Sequence, residues 1–383
     1  MNGNKKIWIV IILAAVLLIG GYVAWQYDQK SVDSRQLRIG VILPLTGSSA
    51  YIGQSIKSGM EISKEEFSSA DNPAGAKADF ELQIDYIDSG GVVSKVVSAY
   101  HNLVDIKNVQ AIVPVQQGVK ALIPLVAQDH RVLLATSVPD NGITGKNPWT
   151  FRFFINAESD ASTIAAYARN KLKLKTAAII YVNDDMGISY MKSFSRHFTQ
   201  KGGEIILKET YNPADSHFRE IALKVKQANP EAIYLVGYGN SMANIPIQLR
   251  EAGVKATILS VGTISQPEIM KAAGEAANGI YYTTTKFFTF APETEKLKQF
   301  VAKYKEKYGK VPVFFEVFGY DTLRLLLIAA QRQGLTPEAL RDGLHTIKDE
   351  PMAVGRVTVG LDGDIQFPVV VKRIVDGKWV MAP

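Results

Sequence analysis

The chain has 383 residues, 47% hydrophobic and 21% charged, with 43 Lys and Arg against 37 Asp and Glu for a formal net charge of +6. That is the composition of folded globular protein, which excludes a disordered chain and a multi-span membrane protein. Its basic residues are dispersed among acids, so no nucleic-acid partner is expected, and the absence of cysteine removes disulfides, thiolate nucleophiles, Cys-based metal sites and a Cys-linked lipid.

The first predicted element is N-terminal. Lys5 and Lys6 precede an uncharged run, Ile7 to Tyr27, whose strongly apolar part, Ile7 to Trp25, is 19 residues long. As a helix it spans roughly 28 Å, close to the hydrocarbon thickness of a bilayer. Trp8, Tyr22, Trp25 and Tyr27 sit near its ends, where interfacial aromatics belong. Lysines before the run and the first acid after it, Asp28, keep the N-terminus in the cytoplasm and send the rest of the chain outside. A cleaved signal peptide has a shorter apolar region and a small-residue cleavage site. Gly20 to Trp25 offers no good site. Residues 1–30 are therefore read as an export signal and anchor, held in the membrane via residues 7–25, with cleavage between Gly20 and Gln29 as the alternative. Either way the remainder stands in the periplasm or on the outer face of the cytoplasmic membrane.

After a polar linker, Leu37 to Leu43 reads as a buried strand ending at Pro44, followed by a turn and a helix from Tyr51 to Phe67 with Ile52, Ile56 and Met60 at helical spacing. The alternation continues. Strands are expected at residues 80–85, 111–115 and 132–135, with helices at 92–105 and 119–128 between them. Trp149 to Ile155 is extended, and near residue 155 the pattern restarts. Strands at 176–182, 204–210, 232–236 and 257–261 alternate with helices at 188–200, 218–228, 241–252 and 266–273. Strands separated by helices of this length imply right-handed crossovers and parallel sheets covered on both faces, an α/β fold. An extended stretch at 279–285, long helices at 293–308 and 313–332, and strands at 355–359 and 367–375 complete the chain.

No catalytic constellation emerges. His101, His130, His197, His217 and His345 all fall in polar stretches expected to be exposed, and none has metal-ligand spacing. Neither a G-x-S-x-G elbow nor a phosphate-binding P-loop occurs. Gly237-Tyr238-Gly239 begins like a dinucleotide fingerprint but lacks its third glycine, and reads as a tight strand-to-helix turn. No catalytic residue, metal or cofactor is expected, and the chain is read as a non-enzyme. Tyr238 nonetheless lies at the carboxyl end of a strand, where ligands of open α/β sheets collect.

Several segments together resemble the type I periplasmic binding proteins of ABC transporters, specifically the branched-chain amino acid (leucine–isoleucine–valine) group. They are Leu37–Gly47 with Tyr51-Ile52-Gly53, then Asn183–Gly187, Gly274–Ile280, Gly319–Thr322 and Asp362-Gly363-Asp364, in that order over about residues 37–383. The resemblance implies two Rossmann-like lobes closing on a ligand, with parallel sheets and three crossovers near Phe154, Tyr282 and Val354. Lobe 1 would comprise residues 37–154 with 283–353, and lobe 2 residues 155–282 with 354–383. It implies a small-molecule ligand and a transporter permease as partners, and a monomer or weak dimer. The expected ligand-binding residues are Tyr51, Gln116, Gln117, Ser137, Asp140, Asp185, Met186, Tyr238 and Thr263.

The site residues depart from the group's pattern. Where the group holds an α-carboxylate with hydroxyl and backbone donors, this chain has Gln116-Gln117-Gly118 and Ser137-Val138-Pro139-Asp140. Pro139 has no N–H to give and Asp140 repels a carboxylate. Gly262-Thr263 stands near the expected second-lobe acid. The residues favour a neutral or amine-bearing ligand: an amino acid, an amide or a related amine. A membrane-tethered sensing or accessory protein on the same fold is the alternative function.

Overall fold

The computed structural model describes residues 35–47, 49–68, 79–286 and 292–383. The anchor expected at residues 1–30 lies outside them. Among the described residues no helix is long and apolar enough to cross a membrane.

Five strands form the first sheet: β1 (Gln36–Leu43), β2 (Glu81–Asp88), β3 (Ala111–Pro114), β4 (Val132–Thr136) and β5 (Thr150–Phe153). Their order is β2-β1-β3-β4-β5 and every pairing is parallel. β3, β4 and β5 are buried at every residue, the signature of strands covered on both faces. Helices α1 (Ala50–Ser68), α2 (Val93–His101) and α3 (Val119–Asp129) make the crossovers. The helix expected at 92–105 is α2 followed by a π-helical turn, Asn102–Ile106.

The chain then passes to a second sheet. Helix α4 (Ala157–Asn170) leads into β6 (Thr176–Val182), α5 (Asp185–Gln200), β7 (Glu204–Tyr211), α6 (Arg219–Ala228) and β8 (Ala232–Val236). Next come α7 (Ser241–Glu251), β9 (Thr257–Ser260), α8 (Pro267–Ala273) and β10 (Tyr281–Thr285). The sequence pattern did not reveal α4, because its buried stripe is mostly alanine: Ala157, Ala161, Ala165 and Ala168 beside Ile164. Its start is fixed by Asn156, whose side chain accepts the Ser159 N–H at 2.7 Å.

After β10 the chain returns to the first body as α9 (Glu295–Tyr308), α10 (Phe314–Gln333) and α11 (Pro337–His345). Helices α1 and α10 touch backbone to backbone. A Cβ on Gly59 would lie 2.0 Å from the Glu316 carbonyl oxygen, and one on Gly319 would lie 2.1 Å from that of Ile56. A small sheet follows: β11 (Glu350–Met352), β12 (Gly355–Val359) and β13 (Ile365–Gln366). Finally β14 (Val369–Val375) and β15 (Lys378–Met381) join the second sheet antiparallel, giving the order β15-β14-β10-β9-β8-β6-β7.

The third passage corrects the expectation. Met352, Ala353, Val354, Val357, Val359 and Ile365 all pack in the first core, so the chain leaves that body between Gln366 and Val369 and not at Val354. The cause is Asp321 of α10. Its carboxylate accepts the N–H groups of Ala353 at 3.0 Å and Val354 at 2.7 Å, tying that segment to the first body. The second passage likewise falls after Thr285, beyond Tyr282. Two histidines also depart from expectation. His345 packs on Phe151, and His197 Nε2 meets Glu158 at 2.6 Å, both half-buried.

Candidate functional site

In each sheet the crossovers diverge at one place, between β1 and β3 in the first and between β6 and β8 in the second. Loops at such a switch point splay apart and leave a crevice at the strand carboxyl ends. Here the two crevices face each other. A cavity of about 420 Å³ is lined by the loops after β3 and β4 from one side and by Asp184, Asp185, Met186 and Tyr238 from the other.

The first-body loops are held in costly backbone. Gln116 (φ 65°) and Ser137 (φ 59°) both occupy the left-handed region, which disfavours residues with a Cβ and clusters at functional sites. Both line the cavity. Gln116 Oε1 is buried without a hydrogen-bond partner.

Asp140, in the loop after β4, lines the same cavity. Its Oδ1 is also buried and without a hydrogen-bond partner. Burial pushes its carboxyl up to about 6; Lys120 opposes the shift while Asp185 and Asp184 reinforce it. Lys120 Nζ stands 3.8 Å from Asp140 Oδ1 and 3.1 Å from Asp185 Oδ2, reaching from one body to the other. The Asp140 loop is fixed from behind by Arg152 of β5. One guanidinium nitrogen donates to the Asp140 carbonyl at 2.5 Å, while two others grip Asp364 at 2.7 Å each. Asp364 belongs to the Asp362-Gly363-Asp364 turn, so that motif braces the cavity loop.

On the opposite wall, Asp184 caps α5 by accepting the Gly187 N–H at 2.9 Å. Its other oxygen accepts the Tyr238 hydroxyl at 2.8 Å, and Gln117 Nε2 donates to the same hydroxyl at 3.1 Å. Burial raises the Asp184 carboxyl, and the Gly187 and Tyr238 donors pull it back. Burial and Asp184 raise the Tyr238 phenol, so it stays a neutral donor. Asn141 adds a further bridge between the bodies, donating from N and Nδ2 to Ser189 Oγ and Ser193 Oγ at 3.2 and 3.0 Å. Val93, Val119, Val138, Ile143 and the Met186 side chain supply an apolar remainder.

Of the residues expected from the sequence, the structure brings Gln116, Gln117, Ser137, Asp140, Asp185, Met186 and Tyr238 around this one cavity. Tyr51 does not line it. The Tyr51 hydroxyl accepts the Gly239 N–H at 3.4 Å in a neighbouring cavity. Thr263 lines neither; its hydroxyl donates to the Gly237 carbonyl at 2.6 Å and secures a strand end. Sequence reasoning missed Lys120 and Arg152. A signal existed for Lys120: it lies in the first turn of α3, where the helix dipole disfavours a cation unless acids nearby compensate.

A sequence profile described as periplasmic binding protein matches residues 36–378. The chain belongs to the periplasmic binding protein family, as a type I member of the branched-chain amino acid group. In this family a solute-binding protein delivers a small molecule to an ABC importer. The Leu/Ile/Val-binding protein homolog 3 of Brucella melitensis is 27% identical over 348 residues, 87% of this chain and 89% of that protein. The crystal structure of a leucine-binding protein from Thermotoga maritima superposes with a TM-score of 0.83 at 25% identity, covering 91% of this chain and 98% of that one. The binding protein of a branched-chain amino acid transporter from Streptococcus pneumoniae, solved with isoleucine, shares the fold with a TM-score of 0.80 at 24% identity, covering 90% and 97%.

Proposed function

We propose that this periplasmic binding protein captures an amine-bearing small molecule with an aliphatic portion, an amino acid, its amide or a related amine, between the two bodies. One observation carries the reading. Three carboxylates, Asp140, Asp184 and Asp185, border the cavity against one cation, Lys120, and the two lining atoms buried without a hydrogen-bond partner, Asp140 Oδ1 and Gln116 Oε1, are both acceptors. A protonated amine supplies the missing donors, and the Val119, Val138, Ile143 and Met186 side chains receive its carbon chain. Lys120 Nζ is the counter-charge available to a ligand carboxylate. The relatives named for leucine, isoleucine and valine bind molecules of this description. The protein binds its ligand without transforming it, and residues 7–25 keep it at the outer face of the membrane beside its permease.

The test is a thermal-shift screen of the full-length chain in detergent, against branched-chain amino acids, their amides, aliphatic amines and benzoate. A ligand at 100-fold excess over its Kd stabilises by about 2.7 kcal/mol. Melting that rises with amino acids, amides or amines supports the reading. A response to benzoate alone sinks it.

A further inference from the structure

A second cavity, of about 380 Å³, adjoins the first. The two share Tyr238 and no other lining residue. Tyr51 of α1 forms part of its inner wall, with Gln266 and Ile269 around the start of α8, and its outer rim is the exposed loop Pro213–Ser216. The sequence singled out Tyr51, yet nothing in the first cavity uses it.

Gln266 has no evident structural duty for its side-chain nitrogen. The residue is 3% exposed, and its Nε2 is buried without a hydrogen-bond partner. Its backbone is satisfied, with N–H donated to the Thr263 carbonyl at 3.3 Å and carbonyl accepting the Met270 N–H at 2.9 Å. An unpaired buried amide nitrogen is destabilising, and a bound acceptor removes that cost. At the exposed rim stand two acids, Asp215 and Glu268. Asp215 Oδ2 already accepts the Asn212 N–H at 2.8 Å, which fixes its place on the loop. The chamber thus pairs an unmatched donor in its buried wall with negative charge at its mouth.

We propose that this chamber is a second ligand subsite, taking a carbonyl, carboxamide or carboxylate oxygen on Gln266 Nε2 and a protonated amine toward Asp215 and Glu268. It stands independently of the first cavity, since the two have only Tyr238 in common.

The probe is glycinamide, which carries both groups, with ethylamine as the control that lacks the oxygen. The full-length chain, labelled with ¹⁵N-glutamine, is titrated with each, and the Gln266 side-chain resonance is followed in wild type, Ile269→Trp and Asp140→Asn, with calorimetry alone for Gln266→Glu. The expected result is a saturable shift of that resonance with glycinamide, at least tenfold weaker with ethylamine and unaltered in Asp140→Asn. Calorimetry should show one binding event weakened at least tenfold in Gln266→Glu, which turns the donor into an acceptor, and in Ile269→Trp, which fills the chamber. An unmoved Gln266 resonance, or equal glycinamide affinity in all variants that melt like wild type, overturns the subsite. Loss of binding in Asp140→Asn alone leaves the first cavity's function standing and removes this one. Loss in the Gln266 and Ile269 variants alone does the reverse.

Discussion

Asp140 and Asp321 make an instructive pair. Both are buried in the first body, and burial pushes both carboxyls up to about 6. Their surroundings then diverge. Asp321 accepts two backbone N–H groups, from Ala353 and Val354, and so belongs to the architecture. Asp140 keeps Oδ1 unpaired, with only Lys120 at 3.8 Å, at the edge of a cavity. Burial alone does not separate a structural acid from a binding acid. What separates them is whether the fold has already supplied the donors.

The largest effect should come from Asp321→Ala. It strands two buried N–H groups at a cost of roughly 1–3 kcal/mol each, so urea unfolding should show a loss of about 3 kcal/mol. Ligand affinity of the folded fraction should hold; a large loss of affinity would make Asp321 more than architectural. Next is Arg152→Met, which leaves Asp364 without its fork and frees the Asp140 carbonyl. A stability loss of about 2–3 kcal/mol is expected. In a double-mutant cycle it should be strongly non-additive with Asp364→Asn; additivity would dissolve the proposed brace.

Asp140→Asn should move stability and binding in opposite directions. Affinity for an amine ligand, measured by calorimetry, should fall at least tenfold, about 1.4 kcal/mol. The empty protein should melt higher at pH 7.5, because a buried charge that lacks a hydrogen-bond donor and has Lys120 only at 3.8 Å is gone. A lower melting point would mean that Lys120 satisfies Asp140 in full. The pH dependence follows. The folded-state value of about 6 lies above the ordinary 3.8, so the folded state holds this proton more tightly. This group's contribution to stability therefore declines as pH rises from about 4 to about 6 and is level above that. Amine affinity should climb through the same window as the carboxylate ionises. Both slopes should be missing from Asp140→Asn when it is compared with wild type at pH 4.5 and 7.5. The smallest effect is Tyr238→Phe, which removes the hydroxyl shared by Asp184 and Gln117. About 1 kcal/mol of affinity should go.

Much of this was legible in the sequence, for physical reasons. Uninterrupted apolar runs such as Ala111–Pro114 and Ala232–Val236 announce strands covered on both faces, and their loops had to carry the site. Helix α4 was hidden because alanine gives little hydrophobic periodicity, although Asn156 marked its start. The third passage was misplaced because β12 looks like any late strand. Contacts made across the fold, the Asp321 carboxylate and the Arg152–Asp364 fork among them, hold this segment on the first body. Arg152 and the separation of Tyr51 from the first cavity depend on which loops meet in space, and local pattern does not encode that; for Lys120 the local sign was only a cation in a helix's first turn.

The late return of the chain also bears on how the protein is made. The first core is completed by Ile365 and the second by Val371 and Ile374. Neither body has its last piece until the chain has been made through this late stretch. Domains that close early fold as they emerge, whereas here both halves wait for the same segment, Ile365 to Ile374. A nascent chain of this design keeps both halves open until the stretch from Ile365 to Ile374 has been made.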